Sequence, residues 1–257
     1  MSNKILAITG MHRSGTSLIA QYLSLCGLSL GNNLTSRYSK SKDSAFGFHH
    51  EDMDFVKFHD ALLNRRHVSA LPTSRLRFFL PTSKAEKQRA AHLLAQKHEQ
   101  ADWGWKDPRT ALFLDMWKNT DNRLVFLSMF RQPMAVVDSL LRRKADRGIT
   151  KNPLIAVQAW RIYNQNILRF HHRFPDKSLL INVDRLVQAG DDIVPAINAN
   201  YALDLKPIPF TEFFSQKALK TQAYKDNEQI QALCKNHRRV ATQCQRLYEQ
   251  LSESSCL

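Results

Sequence analysis

The sequence predicts an α/β fold, a parallel sheet flanked by helices on both faces. Three observations predict it. Short apolar runs at residues 4–9 and 123–129 have the length and composition of buried parallel strands. Each is followed by a turn marked by glycine or proline, and then by a segment with helical apolar spacing. Strands and helices then alternate down the chain, with no internal repeat or low-complexity segment.

The elements follow in order. Residues 4–9 form the first strand. Residues 16–25 form a helix with apolar Leu18, Ile19, Tyr22 and Leu23, stopped at Gly27. Residues 29–48 are polar and read as a long loop, a kind of segment that often carries function. Residues 52–63 are helical and residues 72–81 irregular. Ser83 caps a helix to about residue 100, with Glu86 in capping-box position. Residues 103–106 form a short strand closed by Asp107 and Pro108. Residues 123–129 form the second long strand. Pro133 opens the next helix, which runs to Arg147 and stops at Gly148. Residues 153–174 form a long amphipathic helix, 178–183 a third strand, and 192–200 and 227–251 the last helices. The 257 residues fit one domain with a C-terminal helix at about 227–251 better than two domains.

The first strand leads into Gly10-Met-His-Arg-Ser-Gly-Thr-Ser17. Two glycines with four residues between them, opening a helix, have the outline of a P-loop, so the sheet is of the P-loop type. Backbone N–H groups at such a helix start attract an anion. A nucleoside triphosphatase places Lys after the second glycine to reach the β- and γ-phosphates. Here that position holds Thr16, and the loop's cation is Arg13. The anion cradle is kept and the triphosphate reader is not.

The formal charge is +14 and the isoelectric point near 9.8, which favours an anionic partner. Cys26, Cys234, Cys244 and Cys256 form no Cys-x-x-Cys pair and no zinc-finger spacing with His, so reduced thiols and a cytoplasmic location are expected. No signal peptide is expected, no apolar run approaches membrane length, and neither a membrane nor a nucleic-acid partner is expected. Trp103 and Trp105 read as core. His171, His172 and the paired arginines Arg65-Arg66, Arg142-Arg143 and Arg238-Arg239 read as solvated faces.

Three further segments stand with the loop: Gly47-Phe-His-His-Glu51, Trp103-Gly-Trp-Lys-Asp-Pro-Arg109 and Arg131-Gln-Pro-Met-Ala-Val-Val-Asp-Ser139. In this order the four resemble the sulfotransferases that use 3′-phosphoadenosine 5′-phosphosulfate (PAPS). The likeness is to the bacterial sulfotransferase-like group, with features shared with the tyrosylprotein enzymes. It covers roughly the first 150 residues, on motifs. It implies that Arg13, Ser14, Gly15, Thr16 and Ser17 form the 5′-phosphosulfate loop. It implies that Arg131 and Ser139, eight residues apart, bind the 3′-phosphate, which ATP lacks. Lys106-Asp107-Pro108 corresponds to the Lys-Asp-Pro element of the tyrosylprotein enzymes.

PAPS is then the co-substrate, 3′-phosphoadenosine 5′-phosphate (PAP) the second product, and no metal is expected. Arg13 and Lys106 are the candidate cations for charge developing on the sulfuryl group. Glu51 is the candidate base, with His49 and His50 as alternatives. The acceptor is expected to be a hydroxyl, or an amine, on a glycan or small molecule. The related enzymes often carry Tyr-Glu after the third strand. Here Val183-Asp184 stands in that place, without a ring or hydroxyl at Val183. Two other readings remain: a P-loop nucleotide-dependent kinase, and a non-catalytic polyanion or nucleic-acid binder.

Overall fold

The computed structural model describes residues 4–34, 50–74, 82–97, 103–143, 147–213 and 223–256. Strands β1 (Ile5–Gly10), β2 (Trp103–Lys106), β3 (Leu124–Phe130) and β4 (Ser178–Asn182) form a parallel sheet in the order β2-β1-β3-β4. β1 is central, with Ile8 opposite both Lys106 and Leu127. The carboxyl ends of β1, β2 and β3 therefore meet along one edge of the sheet, where open α/β sheets bind ligands.

The helices are α1 (Thr16–Leu25), α2 (Met53–Arg65), α3 (Lys84–Ala95), α4 (Leu114–Lys118), α5 (Pro133–Arg143) and α6 (Arg147–Lys151). They continue with α7 (Leu154–Arg173), α8 (Leu186–Ala189), α9 (Ile193–Tyr201), α10 (Phe210–Phe213), α11 (Glu228–Asn236) and α12 (Arg238–Glu253). Because strand side chains alternate between faces, each strand feeds two cores. Ile5, Ala7, Leu124, Phe126 and Leu180 pack with Phe55, Val137, Trp160 and Leu251 on one face. Leu6, Ile8, Val125, Leu127 and Ile181 pack with Leu18, Tyr22 and Ile197 on the other. This is the α/β arrangement, a parallel sheet with helices on both faces, that the alternation of elements predicts.

Several boundaries differ from expectation. Gly148 lies inside α6 and does not end a helix. The C-terminal helix is two helices broken at His237 (φ −125, ψ 43). The break lets Ile230 and Leu233 of α11, and Cys244, Leu247 and Leu251 of α12, reach the same core. Most of the polar loop at 29–48 lies outside the described residues.

Arg66 corrects the expectation of a solvated arginine pair. Its side chain is buried, donates to Leu62 O (2.9 Å) and Glu86 Oε1 (3.0 Å), and lies over the Phe113 ring. Glu86 completes the capping box of α3 with Ser83 and also pairs with Arg65 (2.6 Å), which ties α3 to α2. Burial alone would raise the Glu86 pKa, but Arg65, the Ser83 amide and Arg66 bring it down to about 2. A folded-state pKa below the unfolded value contributes stability above the ordinary glutamate range. That contribution is lost as pH falls from about 5 toward 2. Urea titrations at several pH values in this window are expected to show a shallower loss of stability for Glu86→Gln than for the parent chain. Parallel losses would contradict the role given to Glu86.

Candidate functional site

β1 ends at Gly10, and Met11 is buried beneath the turn that follows. Ser14 N bonds to Met11 O (3.1 Å), while Arg13 (φ 70) and Gly15 (φ 78) take left-handed backbone. Gly15 gives α1 no side-chain cap, so the helix start keeps its amide donors for an anion. A Cβ on Gly15 would meet both methyls of Val183 at 2.9 Å and would have to sit at positive φ. Gly15→Ala is therefore expected to cost about 1–3 kcal/mol of stability, by urea unfolding. Val183 thus serves the loop as packing, even though it has no ring or hydroxyl.

Arg131 follows directly on β3, and its carbonyl accepts from Trp160 Nε1 (3.1 Å), which fixes the backbone there. The side chain is buried. Its Nε lies 3.6 Å from Asp184 Oδ1, too far for a hydrogen bond, and its Nη2 has no partner among the described residues. Burial pulls the Arg131 pKa below the ordinary arginine value, and Arg142 adds to this, against Asp184 and Asp138. A buried guanidinium with spare donors and too little counter-charge calls for an anion.

Ser139, two turns along α5, accepts from Arg13 Nε at 3.0 Å, so the loop and the Arg131–Ser139 segment touch directly. Ser14 Oγ is also buried without a partner among the described residues. Thr16 is buried and Ser17 half-buried at the start of α1.

Asp184 organises this side of the site. It accepts from Gln132 N (2.7 Å) and from Tyr248 OH (3.0 Å), while Asn182 Oδ1 accepts from Asp184 N (3.0 Å). α12 thus brings a phenol to Asp184. Burial, reinforced by Asp184, raises the Tyr248 pKa to about 12, so the phenol stays a donor. The pairing spans 64 residues and no local sequence signal announced it.

On the other side, Lys106 ends β2 with 2 % of its side chain exposed, and its Nζ donates to Glu51 Oε1 at 2.6 Å. Arg109 Nη1 lies 3.8 Å from Glu51 Oε2 and also pairs with Asp107 (2.8 Å), while its Nε pairs with Asp60 (3.0 Å). Burial would raise the Glu51 pKa, but Lys106 with help from Arg109 outweighs burial and Asp107 and lowers it. His50 has left-handed backbone (φ 50), and His49 lies outside the described residues.

The sequence reading missed His59. Its Nδ1 bonds Asp107 Oδ2 at 2.9 Å, wholly buried, in the outline of a catalytic dyad. Trp117 Nε1 donates to His59 Nε2 at 2.8 Å, however, which puts the ring hydrogen on Nδ1 and occupies the nitrogen a base would need. The pair is a brace. Asp107 in turn accepts from Arg109 N and Nη1, so Trp117, His59, Asp107 and Arg109 form a chain that ends at Glu51. Trp105 stacks on Phe55 at 4.4 Å in the core beside it.

Adjacent loop residues therefore face two half-sites. Arg13 reaches Ser139, while His12 lies in the electrostatic field of Glu51, Arg109, Asp107 and Lys106. Among the described residues no cluster of three His, Cys, Asp or Glu side chains is placed to hold a metal, and no helix is long and apolar enough to cross a membrane.

No protein-family model matches the chain, and no curated protein matches it. Solved structures do. The sulfotransferase domain of the Synechococcus PCC 7002 olefin synthase is similar at TM-score 0.52 and 18% identity, over 85% of this chain and 79% of that one. The sulfotransferase domain from the curacin biosynthetic pathway is similar at 0.50 and 17%, over 86% and 81%. A sulfotransferase from Mycobacterium avium is similar at 0.50 and 11%, over 92% and 69%. At these identities the likeness is one of fold, and the chain has the sulfotransferase fold.

Proposed function

We propose that the protein is a PAPS-dependent sulfotransferase that moves the sulfuryl group to a hydroxyl, or an amine, of a glycan or small-molecule acceptor and releases PAP. One observation carries this reading: the buried Arg131 guanidinium, with an unpartnered Nη2, beside Asp184 and at the head of the segment whose Ser139 accepts from Arg13. A buried cation with spare donors, separate from the helix-start cradle of α1, fits a ligand with two anionic ends. Thr16 in the lysine position of a triphosphatase argues in the same direction.

The residues divide the work. The amides at the start of α1, with Ser14, Gly15, Thr16 and Ser17, hold the 5′-phosphate. Arg131 grips the 3′-phosphate as a fork, and Ser139 adds a hydroxyl. PAPS, when bound, supplies the activated sulfuryl group. Arg13 and Lys106 stabilise charge developing on its oxygens. Glu51 holds the Lys106 ammonium in place. A fixed cation in a site closed to water is worth far more than one in bulk solvent.

The anionic nucleotide gives part of the +14 charge a purpose. The four free thiols support a cytoplasmic location.

Tyr248→Phe removes one donor to Asp184 and is expected to weaken PAP several-fold, about 1 kcal/mol, by calorimetry. An unchanged affinity would detach α12 from the site. For the activity itself, sulfur-labelled PAPS in metal-free buffer with hydroxyl acceptors is expected to yield PAP and a labelled product. No PAP formation above the buffer rate, or turnover only with ATP and Mg²⁺, would contradict the assignment.

A further inference from the structure

We infer that His12, a residue of the anion loop itself, accepts the proton of the acceptor hydroxyl. This rests on the proposed sulfuryl transfer and deepens it. His12 Nε2 is covered from solvent and has no hydrogen-bond partner among the described residues. A buried imidazole nitrogen left without a partner, in a loop built to hold a reacting group, calls for one. The ring stands edge-on to Tyr163, with centroids 6.2 Å apart, and the Tyr163 hydroxyl is already committed to Ala70 O (2.8 Å).

Two of the competing groups, Glu51 and His59, are occupied, and the His50→Gln variant below separates the third. Glu51 is held by Lys106 at 2.6 Å with Arg109 behind it, and protonating it would leave both cations without that counter-charge. His59 has both ring nitrogens engaged, by Asp107 and Trp117.

Burial keeps His12 neutral at physiological pH, with a pKa of about 4 in the ligand-free protein. Glu51 and Asp107 pull that value up, and Arg109 and Lys106 push it down. An imidazolium formed during reaction is favoured by the two carboxylates, against Arg109, Lys106 and burial, and is favoured further by an anionic donor held in the same loop.

The step balances. The acceptor oxygen bonds to sulfur, the bond between sulfur and the 5′-phosphate oxygen breaks, and PAP leaves with that electron pair. The acceptor proton passes to His12 Nε2 and then to solvent. Transfer to a neutral imidazole becomes favourable as the new S–O bond acidifies the hydroxyl.

The probe is PAPS with water as acceptor, read as PAP release, beside calorimetric PAP binding and ring-nitrogen NMR of the histidines. His12→Gln is expected to bind PAP within about threefold of the parent chain and to lose about a hundredfold or more in turnover. The NMR of the parent chain is expected to show His12 Nε2 without a hydrogen at neutral pH, free and with PAP bound. PAP binding with unaltered turnover in His12→Gln overturns the assignment and leaves the nucleotide reading standing. So does an Nε2–H tautomer, or a turnover loss confined to His50→Gln. Failure of the parent chain to bind PAP overturns the nucleotide reading first, and this assignment with it.

Discussion

Arg131→Ala is expected to weaken PAP by about a hundredfold, while adenosine 5′-phosphosulfate, which lacks the 3′-phosphate, loses no more than about threefold. The size follows from what is removed. Arg131 is buried, and its Nε and Nη2 make no hydrogen bond among the described residues. A bidentate, charge-assisted contact in such a place is worth about 3 kcal/mol. The fold should tolerate the change, because Asp184 keeps its bonds from Gln132 N and Tyr248 OH. Calorimetry with both nucleotides decides the matter. Equal weakening of the two would remove Arg131 from the 3′-phosphate.

Lys106→Ala is the second large effect. Its side chain is 2 % exposed and its partner Glu51 is 15 % exposed, so truncation strands a carboxylate in a largely desolvated place. Breaking such a pair costs about 3–5 kcal/mol, and Arg109, at 3.8 Å from Glu51, moves the expectation toward the lower figure. Turnover should fall about a hundredfold beyond what lost stability explains, because one transition-state cation is gone. Glu51→Gln should leave PAP affinity nearly intact and lower turnover less than Lys106→Ala does, since Lys106 stays in place. Urea unfolding and single-turnover PAP release on both variants test this ordering. A Lys106→Ala protein of parental stability and rate would refute it.

The strand-end turns that carry the two proposed nucleotide elements were legible because each is a local signal attached to a strand end. Gly10 to Ser17 announces its turn through glycine spacing, and Arg131 to Ser139 lies where an apolar strand gives way to Pro133. The helix start at Ser83 was legible for the same reason, as was the burial of Trp103 and Trp105.

What could not be read depends on contacts between distant residues. Tyr248 meets Asp184 across 64 residues, and His59 meets Asp107 across 48. Arg66 looked solvated because its buried partner Glu86 lies 20 residues away on another helix. His12 was in plain view within the loop, but nothing local tells that its ring comes into the field of Glu51, Arg109, Asp107 and Lys106. Only the sheet order, which brings the ends of β1 and β2 side by side, places it there.

The proposed sheet-edge site reads a nucleotide by its 3′-phosphate and takes no metal to do so. Calorimetry of the purified chain with PAP in metal-free buffer, against ATP with Mg²⁺, tests it most directly. Tight PAP binding without metal and weak ATP binding are expected. Tight binding of ATP with Mg²⁺ and indifference to PAP would contradict it and turn the site over to a kinase.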